Sequence, residues 1–238
     1  MVSTERHPDL SPVVWVGFPI ASYVCLYGVV FTGFPGSVAR TLSIEQGVLE
    51  TGQVLFLLLS LALGMRMLSA KAPLPHPRLR LWILLLTVGC FYTLGEEISW
   101  GQHYFGWHTP AWLVDVNDQN ETNLHNVSTT IFFRLPRFIL SDLPYNTLLA
   151  AIYVGGFGYP IYNRGRRPSW YWPTLVCVPW AVSTACATLP ITVGEWVGYE
   201  LPIRPGEVQE YFVYGCLFTY LASLDYRRRY HKTAIGAT

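Results

Sequence analysis

The sequence predicts an all-α membrane protein with about six transmembrane helices and an interfacial helical loop between the third and the fourth. The 238-residue chain is 51% hydrophobic and only 13% charged, whereas a soluble domain carries about 25% charged residues. Six apolar stretches approach the roughly 20 residues that an α-helix needs to cross a bilayer. Neither a composition shift nor an internal repeat divides the sequence, so we expect one integral membrane domain over residues 1–238.

The predicted spans cover about 12–31, 47–68, 79–102, 143–162, 171–193 and 207–224. The connection from about His103 to Asp142 is too long for a simple turn, and long connections in compact proteins are usually functional or disordered. Its aromatic residues argue against disorder. Thr109-Pro110, followed by Trp112, predicts a short helix lying in the membrane interface. Residues 123–126 are expected to begin a further helix that leads toward Phe138.

Basic residues set the expected orientation. They flank the connection between the second and third spans and follow the fourth and sixth spans, at Arg66, Lys71, Arg78, Arg80, Arg164, Arg166, Arg167, Arg227, Arg228, Arg229 and Lys232. The positive-inside rule places this side, together with the N- and C-termini, in the cytoplasm. Arg134 and Arg137 are exceptions on the other side. Many of the acidic residues then gather at the opposite face, although they played no part in the assignment. The net charge of +1 gives no electrostatic basis for binding nucleic acid.

Two adjacent carboxylates, Glu96 and Glu97, end the third apolar stretch. Charged groups at membrane depth are costly unless they are paired, hydrated or bound to metal. The helix dipole also disfavours negative charge at a C-terminal end. A functional role therefore explains this pair better than helix capping does, although sequence alone leaves open which of the two faces the site.

Helical spacing extends the candidate site to other segments. Residues three, four or seven apart share a helix face. This spacing relates Glu96, Ser99 and His103, as well as Glu121 and His125. It also relates Glu50 and Gln53 on the second span, and it relates four residues on the sixth: Glu207, Glu210, Tyr211 and Tyr214.

Carboxylates and imidazoles together suit zinc first, and iron or manganese next. The predicted metal ligands are His103, His125, Glu50, Glu96 and Glu121. The predicted catalytic residues are Glu97, Glu96 and Ser99, with the unligated glutamate of the pair as general base. The predicted supporting residues are Gln53, Gln102, Asn123, Glu207 and Glu210. For Glu207 and Glu210 a structural alternative is equally good, because first-turn carboxylates favour the helix dipole.

The run Gly95-Glu96-Glu97-Ile98-Ser99-Trp100-Gly101-Gln102, with Glu121-Thr122-Asn123-Leu124-His125-Asn126, resembles a family of uncharacterised bacterial multi-pass membrane proteins. That resemblance implies a bacterial inner-membrane setting and no particular activity. The overall plan is loosely similar to alkaline ceramidase-like membrane hydrolases, which hold zinc near one membrane face. Those proteins have seven spans and a His-x-x-x-His pair in the last, whereas Glu207 and Glu210 stand in the last span here.

Three functions follow as hypotheses. The first is a metal-dependent hydrolase acting on a lipid-like substrate at the periplasmic face, with membrane lipid as its partner. The second is a non-catalytic subunit or assembly factor that docks other membrane proteins. The third is a proton- or cation-coupled transporter, which is less favoured because the acids gather at one face rather than at the midplane.

Overall fold

The computed structural model describes residues 9–32, 47–70, 74, 76–117, 119–127, 135–158, 161, 175–198 and 203–236. Within these ranges the chain is helical nearly throughout, and the sole β-type pairing is an isolated bridge between Asn117 and Val127. The predicted all-α class is therefore confirmed. The arginines at 164, 166 and 167, used for the orientation, lie outside the described residues.

The first half of the chain forms three long helices. α1 covers Phe18–Thr32 and follows a π-helical turn at Val13–Gly17. α2 covers Val48–Leu68, and α3 covers Pro77–Glu97. Proline stands in the first turn of α3, where its missing N–H is not required.

Shorter elements follow α3. A 3-10 turn at Ser99–Gly101 leads into α4, Gln102–Phe105. The single-turn helix α5, Ala111–Val114, comes directly after Pro110, where the sequence predicted a short helix. α6 covers Leu143–Tyr153 and is flanked by π-helical turns at Phe138–Asp142 and Val154–Gly158.

Three further helices lie in the described residues from 175 onward. α7 covers Val178–Cys186 after a 3-10 turn at Leu175–Cys177. α8 covers Leu189–Trp196, and α9 is the longest helix, Pro205–Gly236. Within the described part of the chain, four helical stretches are long and apolar enough to cross a membrane: Val13–Phe31, Val48–Leu68, Pro77–Glu97 and Leu135–Gly158.

The predicted fifth and sixth spans differ from those four. The fifth, 171–193, is divided between α7 and α8 by a turn at 187–188, and its first four residues lie outside the described ranges. The sixth corresponds to α9, which has ample length but is too polar to join the four. The predicted fourth span also extends into 159–160 and 162, which are not described.

α2 lies at the centre of the packing, between α3 and α9. A Cβ on Gly64 of α2 would lie 2.1 Å from the Thr87 hydroxyl oxygen of α3, so the two helices are in close contact there. At one end of α9, Glu207 meets Gln53 of α2. These two helices therefore run in the same direction, because Asp225 at the other end of α9 meets Arg66 at the end of α2.

The end of α9 that carries the arginines holds a buried ion-pair network. Asp225 is fully buried and accepts hydrogen bonds from Arg66 and Arg228. Arg227 is also buried, and its Nη2 lies 2.7 Å from a carboxylate oxygen of Asp9. This network joins α2, α9 and the segment before α1 at the end opposite Glu96 and Glu97.

Candidate functional site

A left-handed turn ends α3 immediately after the two glutamates. Ser99, Trp100 and Gly101 have φ angles of +47°, +55° and +88°, a region that residues other than glycine seldom occupy. The predicted extension of the third span to Gln102 is therefore wrong, because the helix stops at Glu97. Ser99 and His103 consequently do not share a continuous helix face with Glu96, as the spacing had predicted.

Trp100 packs back onto the helix that precedes it. Its ring lies over Gly95, where a Cβ would come within 2.7 Å of the ring atoms. The indole N–H donates a 2.8 Å hydrogen bond to Oε1 of Glu96. Phe91 and Tyr92 contact the same ring edge to face. A small residue at position 95 and an acceptor at position 96 thus fix the turn.

The second oxygen of Glu96 holds the distant segment 121–127. Oε2 accepts the backbone N–H groups of Leu124 at 2.6 Å and His125 at 3.1 Å. The side chain is only 6% exposed. Both oxygens of Glu96 are therefore engaged in holding local structure together, and its predicted metal-ligand and catalytic roles stay predictions.

Glu121 is the second acceptor that holds this region together. It accepts hydrogen bonds from Ser99 at 2.7 Å and from Asn123 at 2.7 Å. His103 Nε2 lies 2.8 Å from its other oxygen. Burial raises the pKa of Glu121, but the hydrogen bonds from Ser99 and His103 outweigh it and hold that pKa below its usual value.

The predicted supporting residues Gln102 and Asn123 join the same network. Gln102 Oε1 accepts from the backbone N–H and the hydroxyl of Thr122, and its amide donates to Thr109. Asn123 is buried, and both its backbone and its side-chain oxygen accept from Asn117. The two runs that carry the family resemblance, 95–102 and 121–126, are therefore hydrogen-bonded directly to each other.

The segment 121–127 is not helical. The expected helix does not begin at 123–126, although the described residues 135–137 near its far end are helical. Glu121 and His125 therefore do not share a helix face. His125 Nδ1 instead lies 3.7 Å from Oε2 of Glu96. Burial lowers the pKa of His125, but Glu96, Glu97 and Glu121 nearby outweigh it and raise that pKa.

A polar cavity of about 620 Å³ lies beside this network. Its wall includes six of the predicted site residues that carry carboxylates, namely Glu50, Glu96, Glu97, Glu121, Glu207 and Glu210. His103 and His125 line it as well. The structure therefore brings together the acidic and imidazole groups of four separate segments, as the helical spacing and the orientation had suggested.

Glu97 is oriented toward the cavity rather than toward the loop. Its Oε1 accepts a 3.0 Å hydrogen bond from the Tyr214 hydroxyl on α9. Gln53 is fully buried outside the cavity wall and reaches it indirectly, because its amide donates to the side chain and the backbone oxygen of Glu207. Glu96 and Glu97 thus both line the cavity but have different partners: the turn and segment 121–127 hold Glu96, whereas Tyr214 of α9 holds Glu97.

Several cavity residues were not among the predicted site residues. Tyr92, Tyr145 and Arg137 line the wall. Arg137 donates to the backbone oxygen of Val127 and lies 3.7 Å from Asp142. Tyr214 shares the spacing of Glu207 and Glu210, so the helical pattern had located it without giving it a role. No sequence signal distinguished the other three.

Metal coordination requires several donors around one point. Among the described residues, no group of three or more histidine, cysteine, aspartate or glutamate side chains is arranged to hold a metal ion. Comparison with known proteins finds no matching family model, no matching curated protein and no matching solved structure. The resemblance to a bacterial membrane-protein family therefore stays a prediction.

Proposed function

We propose that this chain is an integral membrane hydrolase that acts on a lipid-like substrate in the polar cavity, with Glu97 as its general base. The observation that carries the proposal is the contrast between neighbouring carboxylates. Both oxygens of Glu96 are engaged, one by Trp100 in the turn and the other by segment 121–127, whereas Glu97 lines the cavity and is positioned by Tyr214. A base must reach its substrate, and Glu97 meets that requirement.

In this mechanism Glu97 removes a proton from a water molecule as the water oxygen attacks an ester, amide or phosphoester centre of the substrate. The bond to the leaving group then breaks, and the leaving group takes a proton from Glu97 or, without a metal, from a protonated His125. The Tyr214 hydroxyl fixes the carboxylate for that transfer. Ser99, Glu96 and Glu121 act as positioning residues, because they hold segment 121–127 against the turn. Glu50, Glu207 and Glu210 supply negative charge around the substrate.

A divalent metal, zinc first and iron or manganese next, is part of the proposal. Its ligands would be His125 together with carboxylates of the cavity wall, which would have to move closer together than they lie in this structure, and it would polarise the substrate and the attacking water. His103 is a weaker candidate than the sequence implied, because Glu121 already engages its ring. Without a metal, a protonated His125 would give the leaving group its proton.

The proposed setting is the periplasmic border of a bacterial inner membrane, with both termini cytoplasmic and six crossings. The crossing by α9 is supported by its parallel course along α2. From Glu207 to Asp225 the helix rises about 27 Å, close to the roughly 30 Å hydrocarbon thickness of a bilayer. The loop aromatics Tyr104, Phe105 and Trp112 are exposed, which supports an interfacial position.

The test compares hydrolysis of a bacterial lipid extract by purified wild type, Glu97→Gln and the control Glu195→Gln, with and without added zinc. Glu195 is exposed and lies outside the cavity wall. We expect the Glu97 variant to lose about 100-fold or more in rate, with Glu195→Gln unchanged. An equal rate for all three proteins, or no hydrolysis by wild type under any condition, contradicts the proposal.

Metal analysis of the same preparations tests the metal separately. Stoichiometric metal in wild type that is lost in His125→Ala supports a bound ion, and His103→Ala shows whether that histidine takes part. Wild type that is free of metal yet hydrolyses lipid ends the metal component and leaves Glu97 as base.

A non-catalytic subunit or assembly factor is the second candidate, and the exposed aromatic loop favours it. Tyr104 and Phe105 are 76% and 78% exposed, and large exposed apolar surface often marks a docking site. Stoichiometric copurification of another membrane protein, lost when both residues are changed to serine, would favour this function over hydrolysis.

A further inference from the structure

A second, apolar cavity adjoins the polar one. It measures about 640 Å³ and lies between α3, α6 and α9. Five residues line both cavities and so form a common wall: Leu85, Leu86, Pro144, Leu148 and Leu217. A ligand with a polar end and an apolar end would therefore fit with its polar end in the first cavity and its apolar end in the second.

The apolar cavity suits an alkyl chain. Its wall runs from Leu86 down to Trp82 on α3 and from Pro144 to Gly156 on the facing segment. The Trp82 indole N–H already donates to the Tyr220 hydroxyl at 2.9 Å, so it needs no hydrogen-bond acceptor from the ligand. The rise along α3 from Glu97 to Trp82 is about 22 Å, which exceeds the roughly 15 Å of one leaflet.

The apolar cavity is also open toward the surroundings of the helices. Leu85 on α3 and Val154 after α6 both contribute to its wall and are 57% and 56% exposed. In a bilayer this side faces lipid tails rather than water, so a lipid can enter sideways without leaving the membrane.

The charges of the polar cavity determine which kind of polar end, or head group, a ligand can place there. Seven acidic side chains line it, against two arginines. One of those arginines, Arg137, lies near Asp142 and donates to a backbone oxygen. Glu97, Glu207 and Glu210 are three of these seven side chains, and they come together from the end of α3 and the first turns of α9. Carboxylates gathered in this way attract a cation and repel an anionic head group.

The polar wall also offers uncharged groups to such a head. The Tyr92 hydroxyl is buried and has no hydrogen-bond partner among the described residues. Tyr145 and Tyr214 lie on the same wall, and tyrosine rings attract cations.

We propose that the ligand of this protein is a long-chain amphiphile with a cationic amine head group, whose head occupies the acidic cavity and whose chain occupies the groove between α3, α6 and α9. This inference names the substrate class of the proposed hydrolase and rests on that function for its biological meaning. The binding itself is independent of turnover.

Binding is tested with hexadecylamine, hexadecanol and hexadecanoic acid, measured by native mass spectrometry of the full chain released from a neutral detergent at pH 7. Methylamine serves as the head group without a chain. We expect one hexadecylamine per chain, bound about tenfold or more tightly than hexadecanol, and weaker binding of the acid and of methylamine.

Matched variants separate the two ends of the site. Glu210→Gln should reduce the preference for amine over alcohol at least about threefold, with Glu195→Gln as control. Thr147→Trp narrows the groove from an exposed wall position and should weaken both long-chain ligands about tenfold, whereas Val182→Trp, exposed elsewhere, should not. Ala151→Leu tests the same wall with a smaller change.

The proposal is overturned if the alcohol or the acid binds as tightly as the amine, or if Thr147→Trp and Ala151→Leu both bind like the control. Selective amine binding without hydrolysis of any lipid would refute the enzyme and keep the ligand class. Hydrolysis that depends on Glu97 without amine preference would do the reverse.

Discussion

Replacing Glu96 with glutamine should release segment 121–127 while leaving the helices intact. The carboxylate accepts three N–H groups, from Trp100 on one oxygen and from Leu124 and His125 on the other. An amide offers only one oxygen, so its NH₂ group must face at least one of these donors. Each hydrogen bond to a charged acceptor contributes about 1.5–3 kcal/mol.

We therefore expect Glu96→Gln to destabilise the docked segment by about 2–4 kcal/mol. This corresponds to a rise of about 30- to 1,000-fold in the population of its open form. Hydrogen exchange followed by mass spectrometry over residues 119–127, in detergent at constant pH, reports this change directly, because exchange proceeds through local opening.

Glu97→Gln is the matched control, since it neutralises the neighbouring carboxylate and keeps every bond to the loop. Exchange over 119–127 should stay at the wild-type rate, because Tyr214 can still donate to the amide oxygen. Unchanged exchange in the Glu96 variant, or equal acceleration in both variants, would refute the division of roles between the two residues.

Three other perturbations test the surrounding structure. Gly95→Ala places a methyl group 2.7 Å from the Trp100 ring and should lower thermal stability by about 1–3 kcal/mol, whereas Gly89→Ala on the same helix meets nothing within 4 Å and should be neutral or stabilising. Arg227→Ala removes a buried cation facing an aspartate and should cost about 3–5 kcal/mol in a thermal melt. Acidification should undock segment 119–127: the pKa of Glu121 is depressed, so its contribution is present above its ordinary value of 4.5 and is lost as pH falls through the lower folded value, as tryptophan fluorescence would report.

Two variants control these measurements. Arg229→Ala removes a cation that is 58% exposed, so its effect should stay below about 1 kcal/mol. If Arg229→Ala lost as much thermal stability as Arg227→Ala, burial would not explain the effect of replacing Arg227. Glu121→Gln should flatten the acid transition, and a transition that persists unchanged in that variant would assign it to another group.

The helical class, four of the spans and the convergence of the acids were predictable because they depend on properties that sequence shows directly. Hydropathy over 20 residues identifies α2 and α3, since each must be apolar along its length. The basic residues then set which helix ends lie on one side. Glu50 and Glu97 meet because they occupy neighbouring ends of antiparallel helices.

The turn at Ser99–Gly101 was not predictable in the same way. Neither serine nor tryptophan favours a positive φ. The pattern of apolar and polar residues also continues past Glu97 without a sign that the helix ends there. The conformation depends on contacts with Gly95 and with Glu121, which lies 22 positions away from Ser99. Spacing rules applied across this break therefore paired Glu96 with Ser99 and His103 incorrectly.

The polar sequence of α9 shows a second limit of predicting spans from hydropathy. Hydropathy gives this helix a weaker membrane signal than α2, although the two run side by side. Some of its polar groups are enclosed by the rest of the protein, as Asp225 and Ser223 are both fully buried. A segment average cannot distinguish polar residues that are enclosed by neighbouring helices from polar residues that would meet lipid.

The close contact of Gly64 with Thr87 has a mechanical consequence for the cavity. It joins α2 and α3 into one stiff unit, and the Trp180 ring packed over Gly215 does the same for α7 and α9. Neither pair has space to separate without breaking its packing. If the path between the two cavities widens, we therefore expect α6 to move, because its Tyr145 contacts α9 through one 3.2 Å hydrogen bond to Gln209. A molecule arriving from the bilayer would then enter by displacing α6 rather than by separating α2 from α3 or α7 from α9.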